Sequence, residues 1–394
     1  MENSKQAIAE QEEKDLRRYQ KAWRFFRTVL APFIRLAYNY HHDSLKDMEG
    51  PYLLLANHNL DFDPLLIGML AFHHIYFVAT ENVLRMGLLG WIVKRFCAII
   101  VHYKGVAGTG TVRQVLGCLR KGHSVALFPE GNRSFSGVTG GFSPATGKMA
   151  RAAGVSLVTV RISGGFLTTP RWGKGIRRGR MEGHVAHIYT HEQLKAMTDD
   201  EINAAIAQDL YVDAYADQQR HPVAFRRLCR AKGLASMLFR CPDCGAIGTL
   251  TAKGNTIACT CGYRARYDVY GYLCRPDGRR EPLSRLDAAQ KAYVITLTER
   301  DPGEKLFSDT VTLQVIRPDH TEAERREAVL TAYPDRFTLD GEVIPFSELF
   351  GIAINQRNRL MLHVRGREDH YECTGGYDFS ALKYLYLIKQ DMQL

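Results

Sequence analysis

The sequence predicts an α/β domain with a largely parallel sheet, followed by a cysteine-clustered module and a small, mostly-β, barrel-like unit. Three observations carry this. Between residues 51 and about 190, short apolar runs alternate with stretches of helical spacing, the pattern of βα units. Four of the nine cysteines fall close together at 241–261. From about 293 onward the chain is dominated by short alternating runs, ending in one helical stretch with Leu382, Leu385 and Tyr386 at helical spacing.

The strand candidates of the first unit are Tyr52–Ala56, Ile75–Ala79, Ala98–Val101, Ser124–Phe128, Val155–Ile162 and His184–Tyr189. Helices are expected near 64–72, 85–95, 110–121 and 145–153. Residues 191–218 read as helical, with Thr198 and Asp199 at the start of a second helix. A basic stretch with Arg226, Arg227, Arg230, Lys232 and Arg240 reads as a linker or connecting helix. A polar segment near 276–286 is expected to separate the cysteine module from the last unit. There, Asp340-Gly341 between Phe337-Thr338-Leu339 and Val343-Ile344 is a tight hairpin signal.

The segment before this series is a cationic amphipathic helix over 15–40. Trp23, Phe26, Leu30, Phe33, Ile34 and Ala37 follow helical spacing, and Pro32 should kink it. A basic helix of this kind suits a membrane interface. The expected organisation is a membrane-associating helix at 1–50, a catalytic α/β domain at 51–220, a basic linker with a metal module at 221–275, and a β-rich unit at 276–394.

Composition narrows the function classes. The chain has 394 residues, 45% of them apolar, room for two or three globular domains. A net charge of +10 favours an acidic partner: nucleic acid, an anionic membrane face or a phosphorylated substrate. No stretch of about 18 uncharged apolar residues exists, so no membrane-spanning helix is predicted. Met1 to Lys14 is too polar for a secretory signal. The expected location is therefore peripheral, on the cytoplasmic side of the cell membrane. The cysteines outside the cluster are scattered, unlike the framework of a secreted disulfide scaffold.

The candidate chemistry centres on Asn57-His58-Asn59-Leu60-Asp61-Phe62-Asp63-Pro64, directly after an apolar strand. A His followed five positions later by Asp is close to a chance match in a chain with 14 histidines. Position gives it weight, because ligands of open α/β sheets bind at this strand-to-loop edge. A second polar loop, Phe128-Pro129-Glu130-Gly131-Asn132-Arg133-Ser134, follows another apolar strand. Acyl transfer from a thioester to an alcohol needs a base for the alcohol proton. A neutral imidazole serves near pH 7, and a carboxylate on its other nitrogen fixes the tautomer. His58 and Asp63 suit these roles, with Asp61 a rival partner. Arg133 offers a bidentate phosphate clamp. Gly131 allows close backbone approach, and Glu130 could hold a hydroxyl or orient Arg133.

Residues 57–64, 128–134 and 155–165 resemble the lysophosphatidic acid (1-acylglycerol-3-phosphate) acyltransferase family, whose motifs occur in this order. The likeness covers about 20–200. It implies a glycerolipid acyltransferase-type α/β domain, with His58 as general base and Asp63 as its partner. It places Glu130, Gly131 and Arg133 along the acceptor phosphate site, and it implies acyl-CoA or acyl carrier protein as donor. The departures are Leu60 where the family has Ser, Tyr103 at or near a usual Arg with Lys104 as a substitute cation, and Ser156 and Thr159 in place of prolines. The implied acceptor is a lysophospholipid.

Cys241-Pro242-Asp243-Cys244-Gly245 and Cys259-Thr260-Cys261-Gly262 read as a four-cysteine structural zinc site. The segment resembles a zinc ribbon of two hairpins, with the second pair one residue short of the usual spacing. The last unit resembles a pleckstrin-homology-like barrel, by strand run and terminal helix only. The competing reading is a zinc-ribbon protein that binds nucleic acid through Arg220–Arg240. The basic stretch lacks interleaved aromatics, and no nucleic acid is expected.

Overall fold

The computed structural model describes residues 2–80, 83, 87–102, 109–319 and 321–388. Its first sheet has seven strands: β1 (Tyr40–His42), β2 (Tyr52–Ala56), β3 (Tyr76–Thr80), β4 (Ile99–His102), β5 (Val125–Leu127), β6 (Ser156–Ser163) and β7 (Met181–Tyr189). Their order is β1-β7-β6-β2-β5-β3-β4. β6, β2, β5, β3 and β4 run parallel, while β7 returns antiparallel to β6. The expected largely parallel sheet is present, with the short strand β1 added at its edge.

Strand β2 shows why this sheet needs two covers. Leu53 and Leu55 point to one face and Leu54 and Ala56 to the other, and all four are fully buried. The first face is covered by α5 (Thr109–Arg120), α6 (Ala145–Ala152), α8 (His191–Ala196) and α9 (Asp199–Leu210), through Val115, Leu119, Met149, Leu194, Ile202 and Ile206. The second is covered by α3 (Asp63–Leu70) and by the N-terminal helical segment, through Leu66, Ile67, Phe26 and Tyr38. Helix α9 begins at the expected place, with Thr198 and Glu201 forming a reciprocal capping box.

The N-terminal segment is longer than its amphipathic pattern suggests. It comprises α1 (Glu2–Phe25), a π-helical turn (Phe26–Leu30) and α2 (Ala31–Tyr38). Pro32 sits in the first turn of α2, where its missing N–H costs nothing, and the wide turn before it absorbs the break. The single expected stripe is consequently split. Trp23, Phe26 and Ile34 pack on the second face, while Phe25, Val29, Leu30, Phe33 and Leu36 point outward. Helix α4 (Gly87–Phe96) lies against α1, and Arg18 Nε donates to the Arg95 carbonyl at 2.6 Å.

The basic stretch expected as a linker is instead core. Ala231, Leu234, Ala235, Met237 and Leu238 are buried in one cluster with Phe166, Leu167 and Trp172 of the first unit and Leu250, Ile257 and Tyr267 of the next. That next unit is a five-stranded antiparallel meander rather than two hairpins: β8 (Leu250–Lys253), β9 (Thr256–Cys259), β10 (Arg264–Tyr267), β11 (Tyr272–Cys274) and β12 (Arg280–Pro282). The expected polar separator holds β12 and the start of α11 (Leu283–Leu297), whose inward Leu283, Val294 and Leu297 are spaced among polar residues.

The C-terminal unit has seven antiparallel strands: β13 (Phe307–Ile316), β14 (Glu322–Ala332), β15 (Arg336–Leu339), β16 (Glu342–Pro345), β17 (Leu349–Asn355), β18 (Arg359–Val364) and β19 (His370–Gly375). Their order is β16-β15-β14-β13-β19-β18-β17. β16 and β17 are neighbours in the chain yet form opposite edges, joined by a turn at Phe346–Glu348. The sheet must curl to allow this. Among the described residues no ladder joins the two edges, so the expected barrel is an open half-barrel. Helix α12 (Ala381–Ile388) fills its trough with Leu382, Tyr384 and Leu385. Asp340 and Gly341, both at positive φ, make the expected tight turn between β15 and β16.

Candidate active site

Two loops leave the C-terminal ends of the adjacent parallel strands β2 and β5 and meet there. The first carries His58 and Asp63, the second Glu130, Gly131 and Arg133. Asn57 holds the first loop to β6. Its side-chain Oδ1 accepts from Ile162 N at 2.6 Å and its Nδ2 donates to Ile162 O at 2.9 Å, continuing the ladder past the end of β2. Asn59 Nδ2 donates to the same carbonyl at 3.1 Å. Gly165 makes room for this packing, since a Cβ there would lie 2.8 Å from that of Asn59.

Asp63 opens α3 and is fully buried. Its Oδ2 accepts from His58 Nδ1 at 2.8 Å, from Asn59 N at 2.6 Å and from Leu60 N at 2.8 Å. The first turn of a helix also favours a negative charge. The imidazole is thereby held with its proton on Nδ1, leaving Nε2 as the basic nitrogen. The ring stacks on Phe128 at 4.5 Å and stays partly exposed. Asp61, the rival partner, is turned away to Arg133. Leu60 is buried and contacts the Gly165 side of the core, so an apolar residue there needs no hydrogen-bond partner.

Glu130 ties the two loops together. Its Oε1 accepts from His58 N at 2.8 Å and its Oε2 from Gly140 N at 2.7 Å. Burial pushes its carboxyl up to about 7 against these two donors, and Asp63 adds to the rise. Ser134 N donates to His58 O at 3.1 Å, a second tie. Gly131 turns the loop at positive φ. Arg133 does not pair with Glu130. Its Nε lies 3.2 Å from Asp61 Oδ1, and its Nη2 donates to the Gln356 carbonyl at 3.5 Å. Burial lowers its pKa, partly offset by Asp61 and Asp63. Lys104 and Tyr103 lie outside the described residues.

Two contributors to this site carry no sequence signal. Arg171 follows α7 (Gly165–Thr168) and is one of 52 lysines and arginines. Gln356 acts through its main-chain carbonyl, which no side-chain pattern reports.

The four clustered cysteines form a second candidate centre. Their sulfurs all lie within 4.8 Å of one another. Cys241–Cys261 and Cys244–Cys259 are separated by 3.7 and 3.8 Å. A tetrahedron with metal–sulfur bonds of about 2.3 Å has edges of about 3.8 Å, so the donor set fits one tetrahedral ion. Gly245 and Gly262 turn each cysteine loop at positive φ, and the N–H groups of Asp243 and Cys244 point at the Cys241 sulfur. The short spacing of the second pair is accommodated at the end of β9.

Residues 37–163 match the protein-family model Acyltransferase, a span that holds both loops of the site. The α/β unit is therefore of acyltransferase type. Among solved structures, the chain is similar to the 1-acyl-sn-glycerophosphate (LPA) acyltransferase PlsC from Thermotoga maritima. The identity is 16% and the TM-score 0.40, over 49% of this chain and 76% of that one. No curated relative matches the chain.

Proposed function

We propose that the protein transfers a fatty acyl group from an acyl-CoA or acyl carrier protein thioester to the free hydroxyl of a lysophospholipid, with 1-acylglycerol 3-phosphate as acceptor and phosphatidic acid as product. The observation that carries this reading is the His58–Asp63 pair at 2.8 Å, on the strand edge that Arg133 shares. His58 Nε2 takes the acceptor's hydroxyl proton as the oxygen attacks the thioester carbonyl. Asp63 stabilises the resulting imidazolium. The tetrahedral intermediate collapses with loss of the thiolate, which receives the proton from His58. The new ester and a free thiol result, and no serine or cysteine nucleophile is needed. Arg133 binds the acceptor phosphate. The decisive experiment assays purified protein with a panel of lysophospholipids and glycerol 3-phosphate against both donor types, alongside His58→Ala. That variant should lose transfer while keeping its circular-dichroism spectrum, and full activity in it would reject the reading.

A membrane surface is the proposed place of work. No described helix is long and apolar enough to cross a membrane. The outward residues of α2 and α4 support lying on one. Phe33, Leu36, Leu88 and Trp91 are 70, 81, 74 and 57% exposed, unusual for large apolar side chains. The cytoplasmic face is proposed with it. Zinc is the proposed occupant of the cysteine centre, where it would hold the loop before β8 to the β9–β10 turn and take no part in transfer. The nucleic-acid reading is not favoured. Arg230 is buried and donates to Arg227 O, Arg227 donates to Ile176 O, and Arg240 lies over the Tyr293 ring, so these cations serve the fold.

A further inference from the structure

The tip of the β17–β18 hairpin, some 220 residues downstream of Arg133, enters the edge of the catalytic unit. Arg171 receives it. This side chain is buried, and its fork is spent on neutral oxygens from two directions. Nε donates to Gln356 O at 2.9 Å and Nη2 to Ile354 O at 2.6 Å, both on the hairpin. Nη1 points to Arg133 O at 3.3 Å and Asn132 Oδ1 at 3.5 Å, both on the catalytic loop. The guanidinium plane also lies over Phe135, 4.1 Å from the ring centroid. Gln356 O additionally faces Arg133 Nη2 at 3.5 Å. A main-chain carbonyl of the C-terminal sheet thus sits between two arginines of the acyltransferase unit.

The hairpin is held in that position from its other side. Gln356 adopts φ +51, and Gln356 N donates to Asn355 Oδ1 at 2.8 Å. Arg357 donates to Gly233 O at 3.3 Å and Tyr377 O at 3.1 Å, and Asn358 to Phe379 O at 3.1 Å. The turn that presents the carbonyl is therefore built, not incidental.

We infer that Arg171 and the Ile354–Gln356 hairpin tip are positioning residues for Arg133, so that the C-terminal half-barrel is a working part of the acceptor site. Arg171 clamps the Asn132 side chain and the Arg133 carbonyl to the hairpin, and the Gln356 carbonyl orients the Arg133 guanidinium by accepting from Nη2 while Nε faces Asp61. The inference rests on the reading of Arg133 as the acceptor-phosphate contact. A misplaced Arg133 weakens acceptor binding before and during transfer alike, so the cost falls on the acceptor KM.

The test is steady-state kinetics of the full chain, with lysophosphatidic acid and an acyl thioester varied separately. Arg171→Lys keeps the charge and loses the fork. Gln356→Val leaves every buried side chain in place and puts a β-branched residue at positive φ, which displaces the carbonyl. Each should raise the acceptor KM about tenfold or more, with a smaller fall in kcat and a donor KM within about twofold of wild type. General loss of structure would instead lower kcat through the amount of active protein and leave KM in place. Arg133→Ala fixes the reference. If the wild-type chain transfers no acyl group, the proposed function fails. If Arg133→Ala raises the acceptor KM and neither Arg171→Lys nor Gln356→Val does, this inference fails and the function stands. If Arg133→Ala leaves the acceptor KM unchanged, the inference falls with the assignment of Arg133.

Discussion

At the scale of the residue, one oxygen of Asp63 organises the site. Three donors converge on Oδ2, one from the imidazole and two from the backbone of the same loop. Asp63→Asn preserves volume but removes the charge that stabilises the imidazolium, and its amide can force the wrong tautomer on His58. We expect kcat to fall by about 10²–10⁴ with the fold retained, measured as turnover beside a thermal melt. Glu130 makes a different prediction. Its carboxyl ordinarily titrates at 4.5 and is pushed up to about 7 in the native chain. Between those values the unfolded chain has released the proton and the folded chain still holds it. The stabilising contribution is thus complete below about 4.5 and is lost as pH rises toward 7. Glu130→Gln should flatten that part of the profile, read as denaturation midpoints at pH 5 and pH 7.5. An equal difference between the two pH values in variant and wild type would count against it.

At the scale of the element, local rules explain what was legible and what was not. β2 was legible to the residue, because five apolar residues before a polar loop have no other stable reading. The start of α9 was legible from Thr198, whose hydroxyl accepts from Glu201 N at 3.2 Å. Thr198→Ala should cost about 1 kcal/mol of stability, seen as a lowered denaturation midpoint without loss of transfer. β14 was illegible, since its charged first half reads as solvated loop. It becomes a strand through cross-strand pairing with β13 along its length, with Arg326 also pairing to Glu324 and Asp340. The N-terminal stripe was half legible. Its spacing assumed α-helical turns on both sides of a kink at Pro32, and the π-helical turn before that proline leaves Leu30 and Phe33 on the outside. Those outward residues make their own prediction. A chain carrying Phe33→Ser, Leu36→Ser and Trp91→Ser should lose most of its co-sedimentation with anionic phosphatidylglycerol vesicles while keeping its melting temperature. Undiminished vesicle binding would remove α2 and α4 as the membrane face.

At the scale of the whole molecule, the three units do not behave as beads on a string. The cluster that buries Trp172, Phe166 and Leu167 of the catalytic unit is the same one that buries Cys241, Leu250, Ile257 and Tyr267 of the cysteine module. Phe239, two residues before the first cysteine, is buried with the C-terminal half-barrel. The segment from Ala231 to Cys241 therefore packs against all three units. Removing a metal from the cysteine centre would leave Cys241, fully buried, among sulfurs packed within 4.8 Å of one another with nothing to bind them. Binding free energy of a structural metal is folding free energy. Loss of the ion should consequently loosen the Cys241 loop, then the shared cluster, and with it the loop that follows α7 and carries Arg171. We expect a strong chelator to lower the melting temperature of the whole chain in one transition and to abolish transfer in parallel, with one equivalent of zinc restoring both. Calorimetry and turnover on the same samples check this. A separate low-temperature transition with transfer intact would mean that the module is an independent appendage, despite the core it shares.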